Sequence, residues 1–585
     1  MNKKKLMKLI GKICIILSLL GFWIYLFLDF NVAFTNDKYI LWCHGPSIVA
    51  VDENFEFTVE AWDNYERLAG PYTGTISFEI ESYNYSTLNS MTSTSSLPSQ
   101  YTFTSNVILS GIIPAYKVSG ADNGKKTFEM NISTPGIHYI HVIEQGSGYH
   151  YRSNPIIVKN SSEIDRRLYW GDIHGHTSFS DGSGLPSEAF EFARDVALLD
   201  FAALTDHSEH FLRMGDIDLF NIFQNYISNI NQYNEPQDFV TLVALEWTPK
   251  YVVLGQDVTF GHLNVYFRGD TMPFFSTFIQ KTPYELYSHI RENCNDDFIA
   301  WTHHSLKSQF ASDFAYHDDE INRMIEIYSV HGSCETYGGD NLYEQADELK
   351  EDGYSVRDAL RMGRRYGIMS SSDTHDGRLG HPISHTDARC FNQYPYTLSG
   401  YRINHPYPGG LTGLLSPSLN RTAIFDALKS RAGYATTWVN RHYVEFSING
   451  VEVGEDNSTL FVSNENETRE LEILVCVDGL TMSSNETSYI KNIEVYKNSE
   501  LWNYSLNINK ALERTLFYDS DTIRGTNYTD YIQKSDGKYY INEKSQLPVD
   551  PEDLSTDGAD YYYVRITDTV GGAAWIGPIW VEISS

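Results

Sequence analysis

The sequence predicts a multidomain protein in which a barrel of alternating strands and helices is flanked by two β-rich domains. Three observations predict it. Residues 36–160 and 441–585 contain short runs of β-branched and aromatic residues punctuated by Gly, Pro, Asn and Ser. Residues 165–440 alternate short apolar runs with stretches of helical periodicity, which is the pattern of a (β/α) barrel. Residues 1–35 join a lysine cluster to an apolar run, which is typical of a signal sequence.

The N-terminal segment is predicted to be a signal anchor, or a signal peptide that is cleaved. Lysines between Lys3 and Lys12 precede the apolar run Ile13–Leu28, whose length is near the lower limit of about 17 residues for a spanning helix. Aromatic residues between Trp23 and Phe27 suit a membrane interface. Both interpretations place the bulk of the chain outside the cytoplasm, as a single-pass protein of the cell membrane or as a secreted protein.

Nine N-x-S/T sequons accord with an exterior location, because N-glycosylation occurs on exterior proteins. None lies between residues 161 and 419, where most of the predicted barrel falls. The acceptors are Asn84, Asn131, Asn160, Asn420, Asn457, Asn466, Asn485, Asn503 and Asn527.

The two flanks are predicted to be β-sandwich-like, the N-terminal one of immunoglobulin type. Its strand candidates are Asn54–Ala61, Thr75–Ile80 and Ile137–Ile143. Those of the C-terminal flank are Tyr443–Ile448, Glu470–Val477, Asn492–Tyr496, Tyr561–Thr567 and Ile579–Ile583. The dipeptide Asn449-Gly450 indicates a tight hairpin turn after the first of these strands.

The central region is predicted to contain six strands separated by amphipathic helices. The strands are Leu168–Ile173, Phe201–Thr205, Val240–Leu245, Phe298–Thr302, Ile325–Val330 and Gly367–Ser371. One helix is expected to begin near Pro186, because apolar residues follow it at helical spacing. They are Ala189, Phe192, Ala193, Val196 and Ala197.

Composition limits the possible partners. The 585 residues carry a formal net charge of −32, which repels polyanions, so no nucleic acid partner is expected. The expected substrate is a small molecule, a glycan or a phosphoester, since a buried metal cluster inverts the local potential. Six scattered cysteines include no CxxC pair. They exclude a zinc ribbon and allow one disulfide, whose pairing stays open.

The segment from Trp170 to Gly182 carries the sharpest chemical signal. His174 and His176 are two residues apart on an extended segment, so their side chains point to the same side. Asp181 follows five residues later, past a turn. Two imidazoles and a carboxylate suit Zn, Mn or Fe.

Four further segments place a ligand-type residue directly after a predicted strand. Because the carboxyl ends of barrel strands meet on one face, these side chains are expected to converge there. The residues are Asp206 with His207, Glu246, His303 with His304, and Asp373 with His375.

Taken together, these motifs resemble the polymerase and histidinol phosphatase (PHP) superfamily. The chain is more closely similar to a PHP-like family of large proteins described as a domain of unknown function, and this similarity covers about residues 166–585. The matching segments are Tyr169–Thr177, Thr205–Glu209, Glu326–Glu335, Ser371–His375, Tyr434–Thr437, Ala573–Trp575 and Pro578–Trp580.

The resemblance implies a distorted (β/α)7 barrel that holds two or three divalent metal ions. It implies His174, His176, Glu246 and Asp373 as ligands of one ion, with Glu246 or Asp373 bridging. It assigns Asp181, His207, His303 and His375 to the others. We choose His303 over its neighbour His304 on position, although relatives often have Pro or Asn where this chain has His304.

Several nearby residues have other interpretations. Asp206 is expected to orient a histidine or cap a turn rather than bind metal, and His331 to lie beside the ions and move protons; both are the candidate catalytic residues. Glu326 is interpreted as a partner of a metal-bound histidine. Three arginines on the helix before the Asp373 strand are interpreted as solvated or salt-bridged, and five other histidines receive no role. These residues are Arg361, Arg364, Arg365, His317, His381, His385, His405 and His442.

The leading hypothesis for function is a metal-dependent hydrolase acting outside the cytoplasm, specifically a phosphoesterase. Clustered dications generate a nucleophilic water near neutral pH and clamp the attacking and leaving oxygens. Two alternatives stay open. One is hydrolysis of an amide, an ester or a glycan-linked group. The other is a non-catalytic cell-surface glycan-binding protein with a metal-stabilised core.

Overall fold

The computed structural model describes residues 3–27, 39–64, 66–107, 115–213, 219–249, 260–338, 342–383, 405–481 and 486–584. Within these residues the protein is multidomain and β-rich, with 31 strands and seven α-helices. Cys390, His385, Asn485 and Leu28, which entered the sequence predictions, lie outside them. The five cysteines that are described are free thiols.

The first helix, α1 (Lys3–Phe27), covers most of the predicted signal segment. Its apolar side chains between Ile10 and Leu20 are exposed. Within the described residues, no helix is both long and apolar enough to cross a membrane.

Residues 39–159 form two sheets, one with strand order β1-β3-β7-β5 and one with order β2-β10-β8-β4-β6, with β9 paired to β8. Side chains from both sheets share one hydrophobic cluster. The three predicted strands are confirmed, whereas the sandwich assignment stays a prediction. The strands are β1 Tyr39–His44, β2 Ile48–Ala50, β3 Phe55–Asp63, β4 Thr75–Tyr83, β5 Ser95–Ser96, β6 Gln100–Thr102, β7 Lys125–Ile132, β8 Gly136–Glu144, β9 His150–Arg152 and β10 Ile156–Lys159.

The central region contains all six predicted strands among its ten. The strands are β11 Arg167–Asp172, β12 Phe201–Ala203, β13 Val240–Trp247, β14 His262–Phe267, β15 Phe298–His303, β16 Met324–Ser329, β17 Gly332–Ser333, β18 Gly367–Ser370, β19 Gly410–Ser416 and β20 Gly433–Thr437. The helices are α2 Pro186–Asp195, α3 Ser208–Arg213, α4 Leu219–Gln232, α5 Pro283–Asn293, α6 Val356–Arg361 and α7 Arg421–Lys429.

Local sequence explains where α2 begins. Pro186 occupies the first turn of α2, and the Glu188 side chain accepts a hydrogen bond from the Leu185 N–H at 2.8 Å. The first turn of a helix tolerates proline because its N–H has no helical partner there. The predicted apolar face of α2 is confirmed, since Ala189, Phe192 and Ala193 are buried.

The central strands include both parallel and antiparallel neighbours, a mixture that the alternation of strands and helices in the sequence does not reveal. β11, β12 and β13 are parallel neighbours, but β14 runs antiparallel to both β13 and β15. β19 and β20 are also antiparallel, and β16 and β18 pair in a separate small sheet with β17. Within the described residues, the central sheet is curled into a half-barrel. A complete (β/α)7 barrel of PHP type stays a prediction.

The C-terminal strands continue the central sheet. β20 pairs with β31, which makes one twelve-stranded sheet with order β15-β14-β13-β12-β11-β19-β20-β31-β30-β25-β26 and with β23 on β31. The predicted hairpin at Asn449-Gly450 is confirmed, with both residues at positive φ between β21 and β22. All five predicted strands are present. The strands are β21 Tyr443–Ile448, β22 Val451–Glu452, β23 Thr459–Val462, β24 Arg469–Cys476, β25 Ile490–Lys497, β26 Glu500–Lys510, β27 Leu512–Asp519, β28 Ile532–Gln533, β29 Tyr539–Tyr540, β30 Asp560–Asp568 and β31 Ala573–Ile583.

Candidate metal centre

Backbone pairing brings the two predicted i, i+2 ligand pairs together. The segment after β11 carries His174 and His176, and the segment after β18 carries Asp373 and His375. The His176 N–H donates to the Thr374 carbonyl at 2.8 Å, and the Asp373 N–H donates to the His174 carbonyl at 2.9 Å. Segments 200 residues apart in the chain are thereby held in a fixed register.

Four donor atoms of these segments and of β13 face one another. The Nε2 atoms of His174 and His176 each lie 3.4 Å from Glu246 Oε2 and 3.3 Å from Asp373 Oδ1. These three residue types are metal ligands when deprotonated. Three of these atoms, the Nε2 atoms of His174 and His176 and the Oε2 atom of Glu246, are buried and have no hydrogen-bond partner.

The spacing of these atoms fits a metal ion better than it fits hydrogen bonds. An N–H···O bond has a typical length of about 2.9–3.0 Å. Metal–ligand bonds of about 2.0–2.1 Å at tetrahedral angles instead place neighbouring donors about 3.3–3.4 Å apart. A buried polar atom without a partner is costly, and a shared cation would satisfy all of them. His174, His176, Glu246 and Asp373 therefore fit a metal site.

A second group surrounds Asp181. Its Oδ1 atom lies 3.4 Å from the Nε2 atoms of both His207 and His375. Ligand atoms of these three residues and His176 all lie within 4.8 Å of one another. Asp181 Oδ1 is buried and has no hydrogen bond. This group also has the composition and spacing of a metal site.

A third group follows β15 and β16. His331 Nε2 lies 3.1 Å from Asp373 Oδ2, and His303 Nε2 lies 3.6 Å from Glu246 Oε2. His304, His331 and Asp373 form one candidate metal group, while His174, His303 and Asp373 form another. Both His303 and His304 therefore face the centre, and the choice between them stays open. Asp373 and His304 have positive φ of 56° and 35°, a strained conformation that is concentrated at functional sites.

The electrostatics favour the ligand forms of the carboxyl groups. Burial opposes ionisation of Glu246, yet His207 and His303 hold its pKa well below its usual range. Burial likewise opposes ionisation of Asp373, and His174 and His331 hold its pKa well below its usual range. Burial, assisted by His375 and His207, lowers the pKa of His176 to about 3. Carboxylates and neutral imidazoles are the protonation states that bind metal. The neighbouring carboxylates raise the pKa values of His174 and His207 well above their usual range, so a metal ion would displace a proton from each of these rings.

Two neighbouring carboxyl groups hold the ligands in place. Glu326 Oε2 lies 2.8 Å from His174 Nδ1, which leaves Nε2 directed at the other donors. Asp206 accepts hydrogen bonds from the N–H and hydroxyl of Thr177 at 2.7 and 2.8 Å and from the hydroxyl of Ser180. Asp206 thus holds the loop that carries Asp181, and its predicted role as a catalytic or orienting residue stays a prediction.

All eight predicted ligands meet at this centre, and His331 borders it. His262 and His405 were not assigned there by the sequence. His262 Nδ1 lies 2.9 Å from Glu246 Oε1, and the His405 ring centre is 4.7 Å from that of His331. His262 follows Gly261 and starts an apolar segment, which is the one sequence signal that marks it. His405 lies in a long polar segment without such a signal.

One family model matches part of the chain, and three relatives of unknown function are similar to most of it. Residues 212–320 match a family model described as a protein of unknown function (DUF3604). Uncharacterized proteins of Chlamydia pneumoniae, Chlamydia muridarum and Chlamydia trachomatis are 23%, 22% and 22% identical over 78% of this chain. The chain spans 63% of the length of each relative. These findings agree with the similarity to a domain of unknown function, while the PHP resemblance rests on the sequence motifs.

Among solved structures, β-glucuronidases align with the chain at very low similarity. One from Parabacteroides merdae covers 94% of this chain and 64% of its own, with a TM-score of 0.15 and 8% identity. One from Bacteroides uniformis has the same coverage and identity and a TM-score of 0.16. Scores this low carry no argument about fold or function.

Proposed function

We propose that the protein is a metal-dependent hydrolase, specifically a phosphoesterase, with two or three divalent ions at the described centre. One observation carries the proposal: the buried, unpaired atoms His174 Nε2, His176 Nε2 and Glu246 Oε2 lie with Asp373 Oδ1 at metal-ligand spacing. The similarity of the motifs to the PHP superfamily supports the same reading, as fold-level analogy. Asp181, His207, His303 and His375 would complete the remaining sites.

The residues of the chain have distinct roles in this proposal. When bound, divalent ions such as Zn, Mn or Fe supply an activated water near neutral pH and neutralise charge that develops on a phosphoryl oxygen. Glu246 and Asp373 hold the ions, and Glu326 fixes the ring orientation of His174. Asp206 keeps Asp181 in place through the loop at Thr177.

His331 is placed to hold a proton. The Lys307 ammonium lies 3.1 Å from His331 Nδ1. Lysine can only donate, so Nδ1 accepts and the proton of the neutral ring lies on Nε2. Nε2 then donates to Asp373 Oδ2 at 3.1 Å. Burial lowers the pKa of His331, which favours the neutral ring.

Lys307 favours a phosphoester over a neutral ester as substrate. Its side chain is partly exposed beside the centre, so it offers a positive charge to an entering group. A cation gains energy from the anionic phosphoryl oxygens and little from a neutral carbonyl. Hydrolysis of neutral esters or amides remains the second candidate, and it predicts no benefit from this lysine.

The test is hydrolysis of p-nitrophenyl phosphate and bis(p-nitrophenyl) phosphate against p-nitrophenyl acetate, with Mn²⁺ or Zn²⁺ added. We expect turnover of a phosphate ester that is lost in Asp373→Ala and retained in Glu56→Gln, which changes an exposed carboxylate of β3. Elemental analysis should give two or three ions per chain. Turnover of the acetate ester alone would select the second candidate, and a metal-free, inactive protein would reject both.

We also propose that the chain acts outside the cytoplasm, anchored or secreted through its N-terminal segment. Four exposed sequon asparagines support glycosylation of the flanks: Asn84, Asn160, Asn466 and Asn527. Surface biotinylation of intact cells tests this location. Labelling only after lysis would contradict it.

A further inference from the structure

Three arginines gather at the end of the central strands opposite the metal centre. Arg323 directly precedes β16, Arg365 lies two residues before β18, and Arg431 lies two residues before β20. The Arg431 Nε–H donates to the Arg365 carbonyl at 2.7 Å. The guanidinium carbons of Arg365 and Arg431 both lie over the Trp580 ring, 5.8 and 5.4 Å from its centre. We call Arg323, Arg365 and Arg431 the arginine triad.

Two guanidinium groups of the arginine triad lack a carboxylate partner. Arg431 is only 3% exposed, and within the described residues its terminal nitrogens make no hydrogen bond or ion pair. Arg323 donates to two carbonyls and to the side-chain oxygen of Asn457, but it too has no carboxylate within 4.0 Å there. Arg365 alone pairs, with Glu582.

The unpaired nitrogens of Arg431 face a groove of about 690 Å³. Carboxyl groups also line it, but none of them lies within ion-pair distance of Arg323 or Arg431. The Asp319 carboxylate is 2.8 Å from His317 Nε2 and is 74% exposed, Glu582 pairs with Arg365, and Asp456 is exposed. Burial, with the charges of Arg323 and Arg365, lowers the pKa of Arg431 to about 9, although Asp319 acts in the opposite direction. Two guanidinium groups without a carboxylate contact therefore border this groove.

We propose that this groove binds a multivalent oxyanion, a phosphate or sulfate group, held by Arg323 and Arg431. A guanidinium offers two parallel N–H donors that match a tetrahedral oxyanion. The bound anion would supply the partner that Arg431 lacks and would offset the repulsion within the arginine triad. The groove lies at the opposite strand ends from the metal centre, so it is a site separate from the proposed hydrolytic one. Guanidinium groups bind a free sulfate or phosphate ion and the same group on a sulfated or phosphorylated polymer in the same way.

The experiment titrates the full chain with sodium sulfate against sodium chloride at equal ionic strength, by calorimetry and thermal unfolding. We expect sulfate to bind and to raise the melting temperature. Arg323→Gln and Arg431→Gln should each weaken sulfate binding at least about tenfold, the scale of one charge-assisted hydrogen bond. Arg194→Gln is the matched control, because Arg194 is ion-paired with Asp195. Asp373→Ala should retain sulfate binding, which separates this groove from the metal centre.

A second arm replaces sulfate by dextran sulfate at matched sulfate concentration. Tighter binding of the polymer identifies a polymer-borne group as the ligand, and equal binding identifies the free ion. Arg323→Gln and Arg431→Gln must weaken binding whether the ligand is the free ion or the polymer. Arg323 is partly exposed, so Arg323→Gln keeps the test valid should Arg431→Gln fail to fold. Sulfate binding that is unchanged in Arg323→Gln, or no sulfate and no polymer binding by the wild type, would overturn the proposal.

Discussion

Glu326→Gln should weaken metal binding without unfolding the protein. Glu326 is 1% exposed, and its Oε2 atom lies 2.8 Å from His174 Nδ1. This contact keeps the His174 Nε2 atom directed at Glu246 and Asp373. Glutamine has the same shape and can still accept a hydrogen bond at this position, but it carries no negative charge. The substitution therefore isolates the electrostatic part of the contact.

The expected magnitude follows from that contact. Burial opposes protonation of His174, but Asp373 and Glu326 raise its pKa well above the ordinary value. Removing a carboxylate partner from a metal-bound histidine typically costs about 10–100-fold in metal affinity. That range corresponds to about 1.4–2.8 kcal/mol. Glu326→Leu, which also removes the acceptor, should fall at or beyond the upper end.

The assay is a competition titration of Zn²⁺ and Mn²⁺ against a chromophoric chelator, with urea unfolding of the metal-free protein alongside. Glu56→Gln is the matched control, since it makes the same chemical change at an exposed carboxyl group of β3. Metal affinity of Glu326→Gln within twofold of the wild type would refute the reasoning. An equal loss in Glu56→Gln would show instead that the loss does not depend on the contact with His174.

Three further predictions concern other contacts. Glu335→Gln should cost about 3–5 kcal/mol at pH 7, because it removes the carboxylate that pairs with the largely buried Arg357 and that Arg565 shares with Glu494. Burial opposes ionisation of Glu335, but these arginines lower its pKa to about 2. Urea unfolding of the wild type should therefore lose this contribution as pH falls from about 4.5 toward 2, and the variant should lack that part of the slope. Lys307→Met should raise the KM for phosphate esters about tenfold, the scale of one charge-assisted hydrogen bond, and should leave acetate ester hydrolysis unchanged. Lys307→Arg should keep the wild-type KM. Equal effects of Lys307→Met on both substrates would contradict a role of this lysine in binding the phosphate group. Asp206→Asn should release the loop at Thr177 and lower the metal content by one ion per chain in elemental analysis, and full occupancy would exclude this role.

Much of the strand content could be predicted because buried strands are apolar whatever their neighbours are. Val240–Trp247 is buried at every position, and its continuous apolar run marks it in the sequence. The hairpin at Asn449-Gly450 was predictable for a local reason as well, since both residues tolerate positive φ. Signals of this kind depend on a few neighbouring residues alone.

Pairing direction depends on distant parts of the chain, and it was not predicted. Nothing within His262–Phe267 indicates that it runs antiparallel between β13 and β15. An apolar run of this length is compatible with either direction. The continuation of the central sheet into β31 is likewise set by contacts between residues more than 130 positions apart. For this reason the strands were confirmed while the complete (β/α)7 barrel stays a prediction.

The same distinction explains which candidate ligands were found. A residue that follows the carboxyl end of a parallel strand is expected on the active face, and this rule located His207, Glu246 and His303. For an antiparallel strand the rule reverses: its first residue, not its last, reaches that face. His262 begins β14 and pairs directly with His303, which ends β15. His262 would have been a candidate if ligand-type residues at both ends of every strand had been considered. The same rule would also have added residues that do not lie at the centre. The geometry around Glu246 then decides among them, because only residues that share its rim can bring a nitrogen within reach of its carboxylate.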